Sequence, residues 1–67
     1  MRIYLKQKWN MFQTATDLGG QWDTFYAGCV DADGDTLYVF YFSREDGMAF
    51  ISLLAEQGIC PKYHIKP

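Results

Sequence analysis

The sequence predicts an α+β domain in the order β-β-β-α-β: a three- to four-stranded, mainly antiparallel sheet with one helix packed on one face. Three observations predict it. Segments at both ends alternate apolar and polar residues, two runs of β-forming residues flank an aspartate-rich turn, and one amphipathic segment carries a cap at each end.

In residues 2 to 9, Ile3, Leu5 and Trp9 point one way and Arg2, Tyr4, Lys6 and Lys8 the other, with Gln7 the exception on the apolar side. A period of two is the signature of a half-buried strand, which residues 10 to 12 can extend. Residues 13 to 20 read as a connection. Thr14, Thr16 and Asp17 can cap a short helical turn there, and Gly19-Gly20 supplies a flexible stop.

Residues 21 to 30 are rich in β-formers (Trp22, Thr24, Phe25, Tyr26, Val30), and residues 36 to 42 are almost continuously so. Between them Asp31-Ala32-Asp33-Gly34-Asp35 reads as a hairpin turn, because Asp and Gly tolerate the backbone angles tight turns require. Two registers compete. A two-residue Asp33-Gly34 turn pairs Val30 with Leu37 and Tyr26 with Tyr41; a five-residue loop pairs Val30 with Thr36 and Tyr26 with Phe40. A slip of one residue exchanges the faces. Under either register residues 37 to 42 are apolar on both sides, so this strand lies inside the sheet or presents aromatics outward.

Ser43 is a good N-cap, Asp46 completes a Ser-x-x-acid pattern, and Glu45 and Asp46 suit the positive end of the helix dipole. The helix runs to about Gln57. Phe50, Ile51 and Leu54, flanked by Met48, Leu53 and Ala55, form a stripe wide enough to lie across a sheet. Gly58 ends it, and Pro61 prevents its resumption. Gly47 inside the first turn costs about 1 kcal/mol relative to Ala, a cost that a close approach to the sheet would explain. Residues 62 to 66 alternate again, with Tyr63 and Ile65 opposite Lys62, His64 and Lys66. As the strand after a crossover, this segment should run parallel to the third. Placed beside the first strand, it gives the order 3-2-1-4 and joins the two basic strands.

Sixty-seven residues make one domain, 1–67, close to the lower size limit for a single core. An apolar fraction of 49% with two Trp, five Tyr and five Phe excludes disorder, and it exceeds what a one-helix sheet can hide. No segment reads as a secretion signal or a membrane span, so the expected setting is the cytoplasm. Cys29 and Cys60 are too few for a disulfide framework and read as free thiols.

The net charge of −2 is unevenly spread. Arg2, Lys6, Lys8, Lys62 and Lys66 lie at the two ends, and between Trp9 and Ser43 there is no Lys or Arg while Asp17, Asp23, Asp31, Asp33 and Asp35 accumulate. The Asp31, Asp33, Asp35 triplet fails as an EF-hand: its sixth position is Thr36 rather than Gly, and its twelfth is Phe42 rather than an acid. No metal or cofactor is expected. The single histidine, His64, has no nucleophile or acid partner marked nearby, and no Gly-rich loop opens a helix, so the expectation is a non-enzyme.

Two surface readings remain. Trp22, Tyr26, Tyr38, Phe40 and Phe42, with Asp23, Asp31, Asp33 and Asp35, have the composition of a protein-binding patch for a partner with a basic surface. The same aromatic set also suits a core shared by the helix and both sheet faces, or a homodimer interface. The expected function is a small non-enzymatic binding module, of the inhibitor type that phages and mobile elements encode to block host defence complexes. The alternative is a nucleic-acid module in which Arg2, Tyr4, Lys6, Lys8, Lys62, His64 and Lys66 contact phosphates and stack on bases. Against it, lysines on edge strands also serve as ordinary protection against aggregation.

Overall fold

A computed structural model describes residues 1–65. The first strand, β1 (Arg2–Lys6), buries Ile3 and Leu5 and turns Arg2, Tyr4 and Lys6 to the other face, as its alternation requires. It ends three residues earlier than its pattern suggests. Gln7, the polar residue that broke the alternation, starts a 3-10 turn over Gln7–Trp9, and Asn10 follows in the left-handed region at φ 56°. Asn tolerates that conformation better than most residues.

The connection holds a real helix, α1 (Phe12–Asp17), longer than the single turn its sequence suggests. Ala15 is fully buried, and Gln13 Nε2 donates to Asp17 Oδ1 one turn on. The chain then passes the ring of Phe42 at Gly20, where a Cβ would collide with that ring and with the Ala15 carbonyl.

The expected second strand over residues 21 to 30 is mostly absent. Only Gln21–Trp22 pairs, as β2, before the chain leaves the sheet in a 3-10 turn over Thr24–Tyr26. Asp23 is the cause: its carboxylate accepts from the Phe25 backbone N–H at 3.0 Å, offering the chain a local bond in place of the ladder. The chain rejoins at Val30, bridged to Thr36, which is the register of the five-residue loop. Tyr26 does not reach Phe40; Trp22 takes that place. Within the loop, the Asp33 and Asp35 N–H groups both donate to Asp31 Oδ1.

The strand β3 (Leu37–Tyr41) is interior, as its apolar faces demand. It pairs antiparallel with β1 along all five residues, Ile3 opposite Phe40 and Leu5 opposite Tyr38. The last strand, β4 (Lys62–His64), pairs antiparallel with β1 and so runs parallel to β3. The sheet order is β2-β3-β1-β4 rather than 3-2-1-4. A two-residue β2 cannot hold the centre, so β3 does, and β4 lies beside β1 as expected.

The main helix, α2 (Arg44–Glu56), starts on Ser43, whose Oγ accepts from the Asp46 N–H at 3.1 Å. It ends in a Schellman turn: Gly58 N–H donates to Ala55 O, Ile59 N–H donates to Leu54 O, and Gly58 has φ 74°. Phe50 and Leu54 pack on Ile3, Leu5, Phe40 and Phe42 to form the core, with Ala15 from α1 completing it. Gly47 sits against Met1 and Phe42, and a Cβ added there would come within 3.2 Å of the Phe42 Cβ, the close approach that its cost in helix propensity implied.

Candidate functional site

Both helices cover one face of the sheet, so candidate sites lie on the other. This open face carries Arg2, Tyr4 and Lys6 from β1, Leu37, Val39 and Tyr41 from β3, and Lys62 and His64 from β4. The chain excursion between β2 and β3 folds back over it. Two charged clusters result, one at each end of β1.

At the first, the Arg2 guanidinium lies 5.3 Å from the ring centres of both Tyr26 and Tyr41. It also donates to the Tyr4 hydroxyl at 3.3 Å and the Tyr41 hydroxyl at 3.0 Å. Those bonds to Tyr4 and Tyr41 raise its pKa further, so Arg2 is a fixed cation. Its Nε is shut from solvent without an acceptor. Tyr26 comes from the 3-10 turn, and its neighbour Phe25 packs edge-to-face on it with ring centres 5.1 Å apart. Phe25 itself is 84% exposed, and Val30 at the loop's return is 55% exposed.

At the second, Lys6 Nζ lies 2.9 Å from Asp35, 3.3 Å from Asp33 and 3.5 Å from Asp31, with the Trp9 ring centre 5.9 Å away. Lys8 adds a bond to Asp35 at 3.3 Å. The Lys6 pKa is raised, chiefly by its bonds to Asp35 and then Asp33. Asp31 is held below the usual carboxylate range, first by the Asp35 backbone N–H, and Asp35 is lowered first by Lys6. The three carboxylates offer oxygens within 4.8 Å of one another, and the Lys6 ammonium stands where a cation among them would be. Lys6 and Lys8 thus meet Asp31, Asp33 and Asp35 in one cluster of two cations and three carboxylates, so these parts of the acidic middle and the basic N-terminal end are not separate poles.

Between the hairpin tip and the start of β4 the open face sinks into a groove of about 460 Å³. Tyr4, Leu37 and Trp9 give it an apolar lining, with Asp33 on one side and Lys62 on the other.

Compared with known proteins, the chain matches no family model, no curated relative and no solved structure. The surface chemistry alone therefore carries the functional argument.

The residues proposed as an aromatic patch do not form one. Phe40 and Phe42 are buried under α2 and cannot meet a partner in this fold. Tyr38 is half-buried against Phe12 at 4.8 Å, and Trp22, though 43% exposed, leans on the same Phe12 at the sheet edge. These four face the helices, because the register puts them on the side of Ile3 and Leu5. Tyr26 lies on the opposite face. Of the acids, Asp31, Asp33 and Asp35 are engaged by Lys6, and Asp23 caps the Phe25 turn.

The basic set is brought together only in part. Arg2, Tyr4, Lys62 and His64 are register neighbours across β1 and β4, whereas Lys6 and Lys8 face carboxylates. Lys66 lies outside the described residues.

Phe25, Val30 and Trp9 are the surface residues the pattern did not single out. Phe25 and Val30 were absorbed into an expected strand. The signal that marks the turn is Asp23, placed two residues before Phe25 where its side chain can take that N–H. Cys29 and Cys60 are free thiols, and among the described residues no helix is long and apolar enough to cross a membrane.

Proposed function

We propose that this chain is a non-enzymatic protein-binding module that acts by occupying a partner's surface, with Phe25 as its anchor. The observation that carries the reading is a phenylalanine left 84% exposed on a turn that is itself held in place. Asp23 caps that turn, and Tyr26 braces the ring from below while packed on Arg2. Burying such a ring is worth roughly 1.5–3 kcal/mol, the scale of an interface hot spot. Pre-organisation reduces the entropy lost on docking.

The anchor has the Asp23 carboxylate on one side and the Tyr26 ring, backed by Arg2, on the other, so the fitting partner offers an apolar pocket for the ring with a polar or cationic group facing Asp23. In its sharper form the module is an inhibitor of the short one-domain type that phages and mobile elements carry against host defence complexes. The run of acids from Asp17 to Asp35 supports that form, by association. Two free thiols suit a reducing cytoplasm. The nucleic-acid alternative draws less support, since Lys6 and Lys8 spend their charge on carboxylates.

The test is capture of partners from a host extract by the intact protein and by Phe25→Asp, with circular dichroism confirming that both are folded. Loss of a partner with Phe25→Asp, and its retention with Tyr63→Asp on β4, is expected. Capture that is indifferent to Phe25 overturns the reading. Light scattering of the protein alone identifies a homodimer as the occupant.

A further inference from the structure

We propose that the groove between the Asp31–Asp35 hairpin tip and β4 binds a small zwitterion with an apolar body, of the α-amino-acid or dipeptide class. This is a second site, independent of Phe25. Its volume of about 460 Å³ falls within the usual range of about 300–1,000 Å³ for small-ligand sites.

The lining decides the ligand chemistry. Tyr4, Trp9 and Leu37 supply aromatic and aliphatic surface for a flat or branched side chain. Around them stand Lys6 and Lys62 against Asp31 and Asp33, so the charged groups lining the groove cancel. A phosphate or polyanion would meet the two aspartates, and a polycation would meet the two lysines. Lys6 and Asp31 are already engaged with each other at 3.5 Å. The groups left to a ligand are Asp33 Oδ1, since Asp33 gives only Oδ2 to Lys6 at 3.3 Å and its side chain is 77% exposed, and the exposed Lys62. They belong to opposite walls, one on the hairpin tip and one on β4. A ligand with an ammonium toward Asp33 and a carboxylate toward Lys62 complements both, with its body over Tyr4 and Trp9.

The experiment is an NMR titration of the intact protein with L-tryptophan, N-acetyl-L-tryptophan and L-tryptophan amide, the last two lacking the cation and the anion respectively. L-tryptophan at up to about 10 mM, a range suited to millimolar affinity, is expected to shift the Trp9 indole N–H and the Cys60 and Lys62 amides. Each analogue, and each of the variants Asp33→Asn and Lys62→Gln, should bind about two- to fivefold more weakly, the scale of one exposed charge contact. Both substitutions are at exposed positions, and an unchanged spectrum elsewhere shows that the fold is retained. No shift at the groove, shifts confined to other residues, equal binding of either analogue, or insensitivity to either variant overturns the proposal.

Discussion

Lys6 and Asp35, twenty-nine residues apart, meet at 2.9 Å and pin the hairpin tip onto the open face of the sheet. The cluster they belong to contains two carboxylates with lowered pKa values and a lysine with a raised one, which fixes how stability depends on pH. A carboxylate whose folded pKa is depressed stabilises the fold above its ordinary value of 3.8 and loses that contribution as pH falls through the lower folded value. The raised lysine contributes fully below its ordinary 10.5 and loses it only as pH climbs through the higher folded value. The cluster's contribution should therefore hold steady between those limits and fall away below pH 3.8. Thermal melts of the native protein and of Lys6→Met across that range check this: the variant's acid limb should be shallower. Because the groups are partly exposed, added salt should narrow the difference.

Gly47 faces Met1 and the Cβ of Phe42, so its place in α2 is set by contact rather than by helix propensity. Gly47→Val should lower stability by about 1–3 kcal/mol through overpacking. Ala at an exposed helix position usually gains about 1 kcal/mol over Gly. At Gly47 an added Cβ meets the Met1 side chain and the Phe42 Cβ, so Gly47→Ala should gain less than that in urea denaturation; the full gain would show that the Met1 side chain swings aside at no cost.

Phe50 is fully buried and stacks on Phe42 with ring centres 5.2 Å apart, joining α2 to the sheet. Phe50→Ala should cost about 3–5 kcal/mol. A domain of this size has a total stability of roughly 3–10 kcal/mol, so the variant should be largely unfolded by circular dichroism at modest temperature. Ser43→Ala, which removes only the cap, should cost about 1 kcal/mol and leave a folded protein.

The elements that were legible are those whose signals are local or periodic. The Ser43 cap, the Gly58 stop and the alternation at Ile3 and Leu5 each fix their own surroundings, and the fold class follows from them. The centre of the sheet was half legible: the apolar faces of β3 marked it as interior, but not β1 as its full-length partner. The candidate site was least legible, for a definite reason. Trp22 through Val30 has the composition of a strand, yet one side-chain bond from Asp23 diverts it and throws Phe25 outward. β propensity measures fit to a pleated surface and is overridden by such local competition. The Lys6 cluster was hidden differently. Charges counted along the chain looked segregated, and only the five-residue register of the hairpin brings the aspartates back over β1.

Phe25 separates function from stability in a way the buried aromatics cannot. Phe40→Asp or Phe42→Asp places a charge in the core, so any loss of binding would only report unfolding. Phe25→Asp removes a ring that the isolated domain barely covers, so the change in unfolding free energy should stay within about 0.5 kcal/mol. Asp23→Ala should act on the same surface by another route. It frees the Phe25 N–H, so hydrogen exchange at Phe25 and Tyr26 should quicken while amides in β1 and β3 keep their protection. A partner held by a pre-organised Phe25 should bind Asp23→Ala more weakly, mainly through faster dissociation, and Phe25→Asp hardly at all. Equal binding of Asp23→Ala and the native protein would mean that the turn's rigidity contributes nothing and the ring alone is recognised.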